Sequence, residues 1–185
     1  DKDKLLDIKQ WGTCAWTSLS SAYRGCSNLT GTFLDTPDLS SVTSLDRVFQ
    51  QCLVFNGNIS SWNILGKNRL DNFLNGATLF NQDIGGWDTS DLVNVNSALF
   101  NTSFDQDISG WDVNQITTFT NFLGGTTLST VNYDALLIAW DAQGTMSYSG
   151  TVNFGSSTYT LGGAAEAART SLISKWGGII DGGGV

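Results

Sequence analysis

Three apolar residues at spacing i, i+3, i+7 recur along the chain. Val42, Leu45 and Phe49 form one set, Leu92, Val95 and Leu99 another, and Ile116, Phe119 and Leu123 a third. Trp16, Leu19 and Tyr23 repeat it near the N-terminus, and Lys67, Leu70 and Leu74 repeat it with a lysine in the first slot. This spacing places three groups on one helical face, so each set predicts a helix of about two turns. The sets begin at residues 16, 42, 67, 92 and 116.

A second pattern runs in the same register. Phe80-Asn81-Gln82-Asp83-Ile84-Gly85-Gly86-Trp87-Asp88 recurs as Phe104-Asp105-Gln106-Asp107-Ile108-Ser109-Gly110-Trp111-Asp112, with a weaker copy from Phe55 to Asn63. Trp11, Trp62, Trp87 and Trp111 each precede an apolar triplet by five residues. One copy, Phe33 to Thr36, diverges where Pro37 and an extra residue intrude. Two agreeing registers predict five units between Ile8 and Leu123, each a short strand followed by a short helix.

A unit of this length cannot bury its own apolar face, whereas adjoining units share one core. The expected fold class is therefore α/β: a leucine-rich-repeat-like solenoid of about five 24–26-residue strand–helix units over residues 1–124, closed by a small α+β cap over 125–185. Asn63, Asp88 and Asp112, at the strand edges, are placed to bond the backbone of neighbouring coils. In the cap, Val131–Ala142 and the alanine-rich Ala164–Lys175 read as helices, and Thr151–Thr160 as a hairpin about Gly155-Ser156-Ser157.

The run FNQDIxxWD followed by an apolar triplet resembles the BspA-like leucine-rich-repeat surface proteins. The closing segments, Asn132–Trp140, Ala167–Ile173 and Ile180–Gly183, resemble that family's C-terminal region, so the likeness spans nearly the whole chain. It implies extracellular or cell-surface exposure, or a virion surface, with adhesion or receptor-type binding and no catalytic activity. Met146 is the only methionine, where the family often has Met in the triplets, and Lys67 stands where an apolar residue is usual.

Composition narrows the chemistry. The 185 residues carry a net charge of −8, and Glu166 is the only glutamate among the acidic residues. Such a chain repels phosphate backbones, which argues against a nucleic-acid partner. No apolar run approaches the roughly twenty residues that span a bilayer. With no histidine in the sequence, a Ser-His-Asp triad is ruled out and a zinc site is strongly disfavoured. Of the three cysteines, Cys26 and Cys52 are equivalent by repeat, which leaves either one bridge or two buried thiols.

The pairs Asp83/Asp88 and Asp107/Asp112 suggest a glycosidase. They recur at the repeat period, however, and the earlier unit has Asn58 and Asn63, so a structural role is preferred and no catalytic residue is assigned. Asp and Asn oxygens suit calcium, but the spacings of the familiar calcium loops are absent, so no cofactor is expected. The tryptophans read as core rather than sugar-stacking platforms. The outward, small and polar positions remain: Ser60, Ser61, Asp83, Gly85, Asp88, Asp107, Ser109 and Asp112 are the candidate binding residues, for a surface protein or a glycan. A structural or assembly segment of a fibre or phage tail appendage is the alternative, and a glycan hydrolase the third reading.

Overall fold

The computed structural model describes residues 1–144 and 146–185. After a short 3-10 turn at Lys2–Lys4, strand β1 (Asp7–Ile8) pairs in parallel with β2 (Thr30–Gly31). Regular elements then cease until α1 (Thr130–Ala142). Beyond it come β3 (Gly150–Asn153), β4 (Thr158–Tyr159), α2 (Ala164–Trp176), β5 (Gly177–Ile180) and β6 (Gly183–Gly184). The two late helices lie where the sequence pattern puts them. The expected hairpin does not form: β3 pairs with β5 and β4 with β6, both in parallel.

The expected leucine-rich-repeat solenoid of five strand–helix units is overturned. Among the described residues there are two α-helices, both after Ser129, and the strands are short parallel pairs. Each segment read as a helix is a series of tight turns, because two residues four apart take left-handed backbone angles. The pairs are Ser21 and Gly25, Arg47 and Gln51, Asn72 and Gly76, Ser97 and Asn101, and Asn121 and Gly125, all with φ between 50° and 78°. A left-handed residue interrupts a right-handed helix and costs about 1–2 kcal/mol where it is not glycine or asparagine.

What offsets that cost is a different set of hydrogen bonds. Alternate N–H groups leave the turn and reach the segment about two dozen residues on. Leu45, Arg47, Phe49 and Gln51 donate to the carbonyls of Arg69, Asp71, Phe73 and Asn75 at 2.7–2.9 Å. Leu70, Asn72, Leu74 and Gly76 donate in turn to Asn94, Asn96, Ala98 and Phe100. Intervening donors close within the turn, as Phe73 N–H does to the Leu70 carbonyl at 3.0 Å. Parallel bridges at Ser44, Arg69, Asn94 and Thr118 precede these turns. The strand expected at Ile-x-x-Trp survives only at Ile8 in β1, and the later copies are turns, as Trp111 N–H bonding the Ile108 carbonyl three residues back at 3.1 Å shows.

Burial nevertheless follows the apolar pattern. Leu45, Val48, Phe49 and Cys52 are fully buried, as are Leu70, Phe73, Leu74 and Ala77 to within one per cent. Phe55, Phe80 and Phe104 lie parallel in a row, with ring centroids 6.3 and 6.2 Å apart. Trp87 Nε1 donates to the Ile59 carbonyl at 3.1 Å, Trp111 Nε1 to Ile84 at 3.0 Å, and Trp140 Nε1, on α1, to Ile108 at 3.2 Å. Trp62 Nε1 is buried without such a partner, because the preceding copy is the divergent one, where Phe33 turns inward and Leu34 stands fully exposed.

The C-terminal elements close around one buried carboxylate. Asp181, its side chain 2% exposed, accepts from the Tyr133 hydroxyl at 2.8 Å and from Arg169 at 2.7 and 3.1 Å. Arg169 also lies over the Tyr159 ring. Burial, reinforced by Asp181, pushes the Tyr133 phenol well above its ordinary range.

The indole bonds give a direct test. Trp111→Phe and Trp62→Phe both shrink a buried ring, but only the first removes a hydrogen bond. In urea denaturation Trp111→Phe is expected to cost about 1 kcal/mol more than Trp62→Phe, with the Ile84 carbonyl left only the longer bond from the Trp87 N–H at 3.3 Å.

Candidate functional site

Four of the eight sequence-derived positions come together. Asp83, Gly85, Asp107 and Ser109 line an open depression of about 450 Å³, with Gly86, Gln106 and Gly110 completing it. Each aspartate is set by a turn of its own loop. Asp83 Oδ1 accepts the Gly85 N–H at 2.9 Å, and Asp107 Oδ1 accepts the Ser109 N–H at 2.8 Å. This is the local bond by which Asp stabilises a turn. The second oxygen of each has no hydrogen-bond partner among the described residues and faces solvent as an acceptor.

Gly85 lets the two loops approach. A Cβ there meets the carbonyl oxygen of Asp107, whereas one on Gly86 meets nothing within 4 Å. Gln106, which sequence reasoning missed, turns its amide onto Asn81 Oδ1 at 2.9 Å and so forms one wall. Its signal was present in the Gln that both motif copies carry before Asp83 and Asp107.

The other four candidates lie outside the depression. Ser60 and Ser61 are exposed on another loop, where Ser60 N–H caps Asn58 Oδ1 at 3.0 Å. Asp88 accepts the Ser90 hydroxyl at 2.6 Å and its N–H at 3.1 Å, and these bonds hold its carboxyl below the ordinary range. Asp112 accepts from the Asn114 N–H and side-chain amide, both at 2.9 Å. The side chains of Asn63, Asp88 and Asp112 therefore accept from two residues ahead in their own loops, not from a neighbouring segment.

The cross-segment bonds belong to the residue after each motif phenylalanine. Asn56 Oδ1 accepts the Asn81 N–H at 2.9 Å, Asn81 Oδ1 the Asp105 N–H at 2.8 Å, and Asp105 Oδ1 the Ser129 N–H at 2.7 Å. Burial on its own would raise the Asp105 carboxyl. The Ser129 N–H, the Asn132 amide and the Ser129 hydroxyl outweigh it and hold the group below its ordinary value.

Two of the three thiols are inert by placement. Cys26 and Cys52 are buried free thiols, and Cys14 is free and exposed. Burial, with Cys26 close by, pushes Cys52 up to about 12, and burial raises Cys26 as well. A thiol so held stays protonated and unreactive near neutral pH. Among the described residues no group of three or more Asp, Glu, Cys or His is placed to hold a metal ion. None of the described helices is long and apolar enough to cross a membrane.

With this geometry in view, residues 17–136 match the family described as DUF285, a Mycoplasma protein of unknown function. The chain belongs to the DUF285 family. The matched stretch holds the whole depression, the cross-segment ladder and the first half of α1, while α2 and β3–β6 lie beyond it. No curated protein and no solved structure matches the chain. The DUF285 description names no activity, so the function rests on the site.

Two outcomes follow from the loops. Because the Asp105 carboxyl is depressed in the fold, its stabilisation is present above the ordinary carboxylate value and is lost as pH falls through the lower, folded one. Asp105→Asn is expected to flatten the loss of stability between neutral pH and about pH 2, read from urea midpoints. Gly85→Ala is expected to destabilise by about 1–3 kcal/mol through the Asp107 carbonyl clash, while Gly86→Ala stays near wild type in the same assay.

Proposed function

We propose that this chain is a non-enzymatic extracellular binding module that takes a protein or glycan ligand on the depression at Asp83, Gly85, Asp107 and Ser109. The observation that carries the reading is an open, acceptor-rich surface built on rigid backbone. Two carboxylates each hold one oxygen in a turn and offer the other outward. Ligand hydroxyls or amides meeting ionised acceptors form the stronger class of hydrogen bond. A surface location is supported by the motif likeness to BspA-like surface proteins.

The hydrolase reading is weaker. A glycosidase needs one carboxyl raised to act as acid, whereas Asp88 is held low by Ser90. The assembly reading has one observation in its favour. The carbonyls of Ser20, Ala22 and Arg24, on exposed residues, accept no hydrogen bond among the described residues, and they continue the cross-segment series.

Glycan and protein arrays probed at high micromolar concentration test the proposal. A ligand is expected on one of them, and the double variant Asp83→Asn/Asp107→Asn is expected to weaken it by about tenfold with unchanged folding. Silence on both arrays, together with trimers in light scattering, overturns the binding reading in favour of assembly.

A further inference from the structure

Lys67 occupies the slot that Val42, Leu92 and Ile116 fill with apolar side chains, and it is equally hidden, at 4% exposure. An ammonium carries three donors, and burying any of them without an acceptor is costly. Lys67 Nζ donates to the Leu65 carbonyl at 3.0 Å. It enters no salt bridge among the described residues. Two of its donors are left over, and the residue lines a recess of about 220 Å³ between the Pro37–Ser40 and Asn63–Lys67 loops.

The rest of the recess restricts what can fill it. Asp38 stands in the same wall. Its Oδ1 accepts the Ser40 N–H at 2.9 Å, and with the Ser40 hydroxyl this bond keeps the carboxyl ionised. Asn63 uses its oxygen on the Leu65 N–H at 3.1 Å, which leaves the amide N–H groups for a ligand. Pro37 and the half-exposed Leu65 supply apolar surface. A fitting ligand therefore offers an anionic acceptor, a hydroxyl donor and a C–H face together. A bare inorganic anion satisfies Lys67 but leaves the apolar surface of Pro37 and Leu65 uncovered.

We propose that this recess binds the carboxylate of an acidic monosaccharide unit, a hexuronic acid, with its carboxylate on Lys67 and Asn63 and a ring hydroxyl on Asp38. The site shares no residue with the acidic depression, so either can fail without the other. Titrating the full chain with glucuronate and galacturonate while following amide resonances by NMR tests it, with glucose and inorganic phosphate as separate arms. Uronate is expected to shift residues 38–40 and 63–67, and glucose and phosphate to leave them unmoved.

Lys67→Met restores the apolar residue of the other triplets and is expected to fold and to bind uronate roughly ten- to a hundredfold more weakly. Asp83→Asn/Asp107→Asn is expected to bind it as wild type. Absence of uronate shifts, an equal response to glucose or phosphate, or wild-type affinity in Lys67→Met overturns the proposal. Should Lys67→Met fail to fold, Asp38→Asn decides: several-fold weaker binding supports the site, and unchanged affinity overturns it.

Discussion

The backbone N–H groups of five turn segments have to find acceptors outside the turns that contain them. In a helix those donors bond four residues back along the same chain. Here every second one in the first four segments reaches a carbonyl about two dozen residues later, as Phe49 does to Phe73, and in the fifth Leu123 reaches Asn153. Buried amides left unpaired are costly, so the spacing between segments is tightly set. The left-handed residues follow from the same demand, because they rotate alternate peptide planes sideways. Glycine or asparagine fills six of the ten positions, and Ser21, Arg47, Gln51 and Ser97 accept strain that the cross-bonds outweigh.

Aromatic side chains lock the segments from inside. The Trp87 and Trp111 indoles each reach back to an isoleucine carbonyl, and Trp140 extends that bond to α1, tying the helical end to the turn-built part. Phe119 and Phe122 then pack against Trp140, so the core runs unbroken into the last elements. Asp181 anchors the final strands through Tyr133 and Arg169, one on each helix. A buried carboxylate with four donors, the Gly183 N–H among them, is well satisfied, whereas loss of Arg169 would strand the charge.

An interior so completely filled leaves function to the outside. Depressions lie between loops, where turn-forming aspartates and glycines give polar, shallow floors. Such surfaces suit ligands recognised by hydrogen bonding over an exposed area more than ones enclosed in a pocket. Lys67 is the exception in the core pattern, a charged group placed where neighbouring copies keep apolar ones. Departures of this kind from an otherwise consistent sequence are expected where binding rather than stability sets the residue.

Sequence alone established which side chains are inside. The triplets other than the half-buried Trp16 and Tyr23, the motif phenylalanines and the Ile-x-x-Trp tryptophans are buried because apolar periodicity reports burial directly. It also located both late helices and four residues of the depression. It did not establish the backbone path. Apolar positions at i, i+3 and i+7 read as a helix, yet consecutive tight turns present the same spacing. The choice between them depends on acceptors two dozen residues away, which no local window contains. Likewise Asn63, Asp88 and Asp112 looked like cross-segment ligands, while Asn56, Asn81 and Asp105 hold that role. An aspartate's partner depends on which loop lies beside it, and only the folded chain fixes that neighbour.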